Sequence, residues 1–200
     1  MKLSRIIPSL FFLFCFFSFS YAQDQIFDQT NIDDPAAWSA LNNSDGSLGI
    51  MTGNLVFGSS KAITADNITI LSNNQERGIL TAGGAHRFFT VTGGKTLNLH
   101  NILLRGGTYD GLDTEGGGAV STTGIGLTID GDFAIERSSS SVFGGAVYVK
   151  GGTAVINGKA SFALNSAVSG SGGAIYSGGG VVVGQGSHLV LDSNGAGLNG

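Results

Sequence analysis

The tetrapeptide Gly117-Gly118-Ala119-Val120 recurs twice further along the chain, as Gly144-Gly145-Ala146-Val147 and as Gly172-Gly173-Ala174-Ile175. The copies start 27 and 28 residues apart, and a further 28 residues leads to Gly200, the last residue of the 200-residue sequence. Self-similarity at a fixed period of this length is typical of repeat architectures. The sequence therefore predicts clear repeats that start at 117, 144 and 172, the last of them truncated at 200.

A second motif recurs at the same spacing. Phe162-Ala163-Leu164-Asn165 in the second repeat corresponds to Leu191-Asp192-Ser193-Asn194 in the third, and an alanine follows two residues after each asparagine. In the first repeat we align Phe133-Ala134-Ile135-Glu136 with them, which places Glu136 where the asparagine belongs. Two kinds of motif that recur in phase indicate repeated structural units.

Short runs rich in β-branched residues lie between the glycines, at 125–129, 153–156 and 181–183. Such runs are typical of short strands joined by turns, and residues 85–200 show no sustained helical period. A unit of this size cannot bury its apolar face alone, but it can do so in a parallel ladder with rungs about 4.8 Å apart. The sequence therefore predicts an all-β fold, a right-handed parallel β-helix (β-solenoid).

The motif positions have expected roles in such a coil. Each Gly-Gly pair should supply a turn with permissive φ and allow neighbouring coils to approach closely. Ala and then Val or Ile should start a strand and point alternately inward and outward. We expect Phe162 and Leu191 to stack in the core, and Asn165 and Asn194 to form a ladder that satisfies turn backbone groups.

The first residues have the organisation of a secretory signal. Residues 1–22 fit a signal peptide, because Lys2 and Arg5 precede a mostly apolar run over 6–19 and small residues follow it. The apolar run is shorter than the about 20 residues that span a bilayer. We therefore expect an exported protein whose mature chain begins at Gln23.

Residues 23–54 are predicted to form an N-terminal cap segment, and residues 55–200 the parallel β-helix. Asp34 is a candidate N-cap, and a proline at the first helical position and good helix formers follow it. The sequence thus predicts a short N-terminal capping helix. Because the open end of a solenoid must be covered, we expect Trp38 and Leu41 to pack over the first rung.

Charge and cysteine content restrict the class of partner. The net charge is −4, and loss of Lys2 and Arg5 with the signal peptide lowers it by two, to −6. A nucleic-acid partner would require a basic stripe, so we expect none. Cys15, the only cysteine, lies within the signal, so the mature chain must be stabilised by repeated packing and not by disulfides.

The strongest candidate for chemistry is the acidic cluster of Asp110, Asp113 and Glu115. Enzymes built on β-helices need clustered carboxylates, often with Ca²⁺ or a basic residue such as Arg87 or Arg105. The sequence leaves open whether this cluster binds Ca²⁺. The histidines lack zinc-ligand spacing, and neither a nucleophile elbow nor a phosphate loop is present. We therefore predict a protein that is not an enzyme, with no catalytic residue, metal or cofactor.

The two motifs resemble the repeats of polymorphic outer membrane proteins, the chlamydial-type autotransporter adhesins. The resemblance covers residues 85–200, and its best match is 162–165 followed by 172–175. It implies a β-helical passenger that is secreted through a C-terminal β-barrel and binds a host-cell or surface macromolecule, a receptor or a glycan. The positions carried over as the repeat or adhesion motif are Gly117, Gly118, Ala119, Val120, Gly144, Gly145, Ala146, Val147, Phe162, Asn165, Gly172, Gly173, Ala174, Ile175 and Asn194.

The resemblance also implies a location at the outer membrane or cell surface. The barrel is absent from these 200 residues, so membrane association would depend on a C-terminal anchor outside them. The alternative hypothesis is a carbohydrate-active or carbohydrate-binding β-helix, similar to polysaccharide lyases. That alternative requires the acidic cluster to converge with Arg87 or Arg105 in one groove.

Overall fold

The computed structural model describes residues 24–111 and 115–197, apart from the side chains of Thr123 and Ile125. The expected signal peptide, Asp113 and Gly200 lie outside the described residues. The described chain forms one short helix and 20 strands. In chain order these are β1 (Gln25–Phe27), α1 (Pro35–Leu41), β2 (Leu48–Met51), β3 (Leu55–Phe57), β4 (Lys61–Ile63), β5 (Ile68–Ser72), β6 (Gly78–Ala82), β7 (Phe89–Val91), β8 (Thr96–His100), β9 (Ile102–Arg105), β10 (Thr108–Tyr109), β11 (Val120–Asp130), β12 (Asp132–Glu136), β13 (Ser139–Ser140), β14 (Val147–Ile156), β15 (Lys159–Ala163), β16 (Ser166–Ala167), β17 (Ile175–Ser177), β18 (Val181–Val183), β19 (His188–Asp192) and β20 (Gly195–Ala196).

The strands stack into three parallel sheets along a solenoid of about six turns. The largest sheet has the order β1-β2-β5-β8-β11-β14-β17, with β4, β7 and β18 paired beside this path. The other two have the orders β3-β6-β9-β12-β15-β19 and β10-β13-β16-β20. Neighbours in each sheet come from successive coils, so each coil packs on the one before it. The predicted all-β parallel β-helix is confirmed.

The repeats occupy equivalent places in successive coils. Val120 pairs with Val147, and Val147 pairs in turn with Ile175. Phe162 pairs with Leu191, as the alignment of the second and third repeats predicts. The 27–28-residue period is therefore the length of one coil in this part of the chain.

The alignment of the first repeat is wrong by two residues. Ile135 pairs with Phe162, whereas Phe133 pairs with Ala160. Both Phe133 and Ile135 are fully buried and point inward from the same strand. Because side chains alternate with a period of two, an apolar pattern alone cannot distinguish two inward positions two residues apart.

The corrected register also moves the position equivalent to the ladder asparagine. The Ser138 amide donates to Oδ1 of Asn165 at 2.9 Å, so Ser138 lies at the equivalent turn of the first repeat. Glu136 is not the replaced asparagine. It ends β12, where its Oε1 accepts a hydrogen bond from Nε of Arg105 at 2.5 Å.

The expected inward and outward alternation at Ala-Val is also wrong. Ala119 and Val120 are both fully buried, and β11 begins only at Val120. The amides of both residues donate to the carbonyl of Ala146, at 2.9 and 3.0 Å. Two amides that share one acceptor have the pattern of a β-bulge, which turns two successive side chains toward the core.

The same bulge occurs one coil earlier, although no Gly-Gly pair precedes it. The amides of Phe88 and Phe89 both donate to the carbonyl of Ala119, at 2.9 and 3.1 Å, and Phe89 pairs with Val120. The coil geometry therefore extends upstream of the clear sequence repeats, with aromatic residues in place of Ala and Val.

Helix α1 covers one end of the solenoid, as predicted. Asp34 caps the helix by accepting a hydrogen bond from a main-chain amide of its first turn. Trp38 and Leu41 are buried, and the Trp38 ring stacks on Phe27 with 4.6 Å between centroids. Within residues 23–54, β1 and β2 belong to the largest sheet, so the parallel ladder already begins in this segment.

Candidate binding surface

The first glycine of each motif has the positive φ that its turn requires. The φ angles are +81° at Gly117, +56° at Gly144 and +73° at Gly172. Residues with a Cβ rarely adopt this left-handed region, whereas glycine does so without a steric penalty. The predicted turn role of the first glycine is confirmed in all three repeats.

The second glycine allows successive coils to approach closely. A Cβ on Gly118 would overlap the carbonyl oxygen of Gly145, and a Cβ on Gly145 would overlap that of Gly173. Any larger residue would therefore force backbone to move apart. The predicted close approach is confirmed, and it explains why the glycines occur in pairs.

The predicted asparagine ladder is present. Nδ2 of Asn165 donates to Oδ1 of Asn194 at 2.9 Å and to the carbonyl of Ile135 at 3.0 Å. Oδ1 of Asn165 accepts from the Ser138 amide, and Nδ2 of Asn194 donates to the carbonyl of Phe162 at 2.9 Å. Each asparagine thus satisfies backbone groups of the preceding coil.

Many of the motif side chains are enclosed in the coil, so their established contacts are structural. A role for these positions in adhesion stays a prediction. The buried members are Ala119, Val120, Ala146, Val147, Phe162, Asn165 and Ala174.

The outer side of the largest sheet carries three aromatic rings, Phe143, Tyr148 and Tyr176, which we name the aromatic stack. Tyr148 and Tyr176 are register partners on β14 and β17, and their rings are nearly parallel, 5.7 Å apart and inclined by 17°. Phe143 precedes the second Gly-Gly pair, and its ring lies 4.6 Å from that of Tyr176. Phe143 and Tyr176 are half-buried, whereas Tyr148 is buried between them.

The motif glycines make room for the stack. A Cβ on Gly117 would lie 3.0 Å from Cβ of Tyr148, and one on Gly172 would lie 3.0 Å from Cβ of Tyr176. The Gly-Gly turn of one coil therefore lies directly against a tyrosine of the next coil or of its own. The repeat that builds the solenoid also positions the rings on its surface.

A buried arginine lies in the neighbouring coil. The Arg87 guanidinium is 3.9 Å from the centroid of the Tyr109 ring, and its Nη1 is 4.0 Å from Oε2 of Glu115. Only 8% of the Arg87 side chain is exposed, and Nη2 has no hydrogen-bond partner among the described residues. We name Arg87, Tyr109 and Glu115 the arginine group.

The pKa shifts show that the two groups are neighbours. Burial raises the pKa of Tyr148, and the negative charges that Tyr176, Glu115 and Tyr109 can carry raise it further. Burial lowers the pKa of Arg87, while Tyr109 and Glu115 act in the opposite direction. The aromatic stack and the arginine group therefore form one continuous surface region.

The acidic cluster predicted from sequence is only partly assembled. Glu115 lies beside Arg87, whereas Asp110 is exposed and Asp113 is outside the described residues. Arg105 pairs with Glu136 instead. In residues 24–111 and 115–197, no group of three or more His, Cys, Asp or Glu side chains could hold a metal ion.

The aromatic stack was not predicted, although the sequence contains a signal for it. Tyr148 and Tyr176 each follow directly after the β-branched residue of a Gly-Gly-Ala-Val/Ile motif. A position that directly follows an inward residue of a strand points outward. Two tyrosines one period apart therefore predict two rings in adjacent rungs. Phe143 and Arg87 carry no comparable signal, because both lie in turns between strands.

Comparisons with protein families, curated proteins and solved structures found no match to this chain. No helix in the described part of the chain has the length and apolar character needed to cross a membrane. The geometry of the outer surface is therefore what bears on function.

Proposed function

We propose that this chain is an exported cell-surface protein, an adhesin-like autotransporter passenger segment that binds a receptor or glycan by its outer side. The observation that carries the proposal is the aromatic stack of Phe143, Tyr148 and Tyr176 on the outer face of the largest sheet. The signal-like residues 1–22 and the resemblance of the repeats to polymorphic outer membrane proteins support export and display.

Aromatic rings suit a binding role on a rigid scaffold. Tyrosine supplies a large apolar area at low conformational-entropy cost and a hydroxyl that can form hydrogen bonds. Tyr and Arg are enriched among the residues that dominate binding energy at interfaces. Here the rings are held by paired strands and by one another, so little order is lost when a partner binds.

Attachment of coated beads to cells tests this proposal. Beads carrying the exported chain should attach to host-like cells, and Tyr176→Ala should reduce attachment about tenfold, the effect of a modest hot-spot residue. Tyr176→Phe keeps the ring and should retain attachment. Val56→Ala, at an exposed position on another sheet, is the matched control. Equal attachment by wild type and Tyr176→Ala would contradict the proposal.

Export has a test of its own. The secreted product should begin at Gln23, because small residues end the signal segment before it. N-terminal sequencing of the product in the extracytoplasmic fraction measures this. A chain that keeps Met1 and stays in the cytoplasm would contradict export while leaving the binding proposal to be tested separately.

A carbohydrate-binding β-helix is the second candidate, and one observation favours it. Arg87 and Glu115 lie together beside Tyr109, so one of the two basic residues considered from sequence does meet part of the acidic cluster. A guanidinium beside aromatic rings suits acidic sugars, because arginine binds carboxylates in bidentate fashion.

Binding to polygalacturonate, with and without Ca²⁺, separates the two candidates. Saturable binding that Glu115→Gln alters would support the carbohydrate reading, and product formation would support a lyase-like activity. Absence of both, together with cell attachment that depends on Tyr176, would support the adhesin.

A further inference from the structure

The end of the solenoid opposite to α1 has an unusual apolar surface. Val182 and Leu191 expose 50% and 58% of their surface, and Val181, Val183 and Val190 are also exposed. A cleft of about 610 Å³ opens here, between the Gly172-Gly173 turn and β19. Among the described residues β19 pairs only with β15, so its other edge offers unpaired backbone groups.

Nothing in the last coil discourages pairing at this edge. Proteins usually protect exposed strand edges with charged side chains, especially Lys, or with Pro. Residues 172–197 contain no Lys, Arg, Glu or Pro, and their only charged or imidazole side chains are His188 and Asp192. Both lie on β19, one at each end of the strand.

We infer that this end binds a second copy of the same chain, with the two β19 strands paired antiparallel about a two-fold axis through Val190. The sequence His188-Leu189-Val190-Leu191-Asp192 is self-complementary in this arrangement. His188 would lie opposite Asp192 of the second copy at both ends of the pair, and Leu189 would lie opposite Leu191 of the second copy. Cross-strand pairs of opposite polarity and of apolar residues each stabilise an antiparallel ladder.

The arrangement also keeps the inner faces of both sheets on the inside. Leu189 and Leu191 pair with Ala160 and Phe162 of the preceding coil, which are buried in the core. A two-fold axis perpendicular to the sheet maps this inner face onto itself, so the leucines of both copies would close one continuous core. Val190 and the two terminal residues of β19 would share the outer face.

Closure at two copies follows from the other end of the molecule. Trp38 and Leu41 of α1 are buried against the first coils, so that end has no comparable open surface. A head-to-tail contact would need both ends open and would propagate into a filament. One open end instead gives an isologous contact, which is complete with two molecules.

Sedimentation of the purified exported chain across a concentration series tests the inference. Wild type should form a dimer. His188→Asp places two carboxylates opposite each other and should weaken the dimer about tenfold, since like charges in directly opposite positions are destabilising. The double variant His188→Asp/Asp192→His exchanges the two residues and should restore the wild-type dissociation constant. Both positions are exposed, so the variants should keep the fold.

Cysteine cross-linking tests the register in a Cys15→Ser background. Val190→Cys should form a disulfide-linked dimer on mild oxidation, because the axis places the two copies of residue 190 opposite each other, about 5 Å apart at Cβ. Val182→Cys, on the same end but off the axis, is the control and should cross-link far less. A chain that stays monomeric, a double variant that fails to restore the dimer, or equal cross-linking at 182 and 190 would overturn the inference.

Discussion

Asn165 in one coil donates a side-chain hydrogen bond to Oδ1 of Asn194 in the next, at 2.9 Å and 29 residues further along the chain. Asn165 is 1% exposed and also serves the Ser138 amide and the Ile135 carbonyl. The side chain therefore links three successive coils at one turn.

Asn165→Ala should lower the free energy of unfolding by about 2–3 kcal/mol, because it leaves buried backbone groups without partners. Asn194→Ala should cost less, since Asn194 is half-buried and lies in the last described coil. Urea unfolding measures both variants. Asn43→Ala, at an exposed position after α1, is the control and should change stability little. An Asn165→Ala protein as stable as wild type would contradict the ladder as a stabilising element.

The second glycine of the repeat gives a sharper prediction. Gly145→Ala should prevent folding or cost more than about 3 kcal/mol, because its Cβ would overlap backbone atoms of Gly173 and Ser166, which cannot rotate away. Gly84→Ala is the matched control, since its nearest neighbour would be His86 at 3.6 Å and its φ is ordinary. That control should be neutral or slightly stabilising. Circular dichroism and thermal unfolding distinguish the two outcomes.

Asp33 links the cap segment to the first coils and should make stability depend on pH. Its carboxylate contacts the ammonium of buried Lys61 and accepts from the Gly58 amide at 2.8 Å. Burial alone would raise the pKa of Asp33, but Lys61 and the Gly58 and Ser59 amides outweigh it, and the pKa is lowered. A lowered folded-state pKa gives stability that is present above about pH 4 and is lost as pH falls through the folded value.

Asp33→Asn should therefore be less stable than wild type at pH 7, and the difference should narrow below about pH 4. The cost at pH 7 is about 1–2 kcal/mol, a modest figure because the Asp33 side chain is 42% exposed and partly screened. Urea unfolding at pH 7 and pH 3 measures the difference, with Asp24→Asn as the exposed control. A difference that stays constant or widens on acidification would contradict this assignment.

Arg87 makes an opposite prediction. A buried guanidinium with one unpartnered nitrogen and a carboxylate at 4.0 Å recovers little of its desolvation cost. Arg87→Met should therefore be neutral or stabilising by about 1 kcal/mol. Arg105→Met removes a direct pair with Glu136 and should destabilise slightly. Thermal unfolding compares them, and a large loss of stability in Arg87→Met would show that Arg87 is retained for the fold and not for binding.

The repeat motif was sufficient to predict the fold because each of its residues has one structural use. Gly144 needs a positive φ, Gly145 needs the absence of a Cβ, and Asn165 needs backbone groups to satisfy. These requirements recur once per coil, so they fix both the period and the register. Where the sequence had only apolar residues, as at Phe133 and Ile135, the register was wrong by two residues.

The surface region was harder to predict, because its members come from different coils and have no common motif. Tyr148 and Tyr176 follow the repeat and were within reach of sequence reasoning. Arg87, Tyr109 and Glu115 meet only through the winding of the coil, and their spacing in sequence carries no signal. Arg105 seemed an equal candidate to Arg87 until the strand register paired it with Glu136.

Photo-cross-linking from position 176 tests the proposed binding surface most directly. The exported chain with Tyr176→p-benzoylphenylalanine should cross-link to a cell-surface macromolecule on irradiation, because the stack contacts the partner. The same substitution at Val56, an exposed position on another sheet, should yield no specific adduct. An adduct of the same size and yield from both positions, or none from position 176 on cells that the chain binds, would contradict recognition through the aromatic stack.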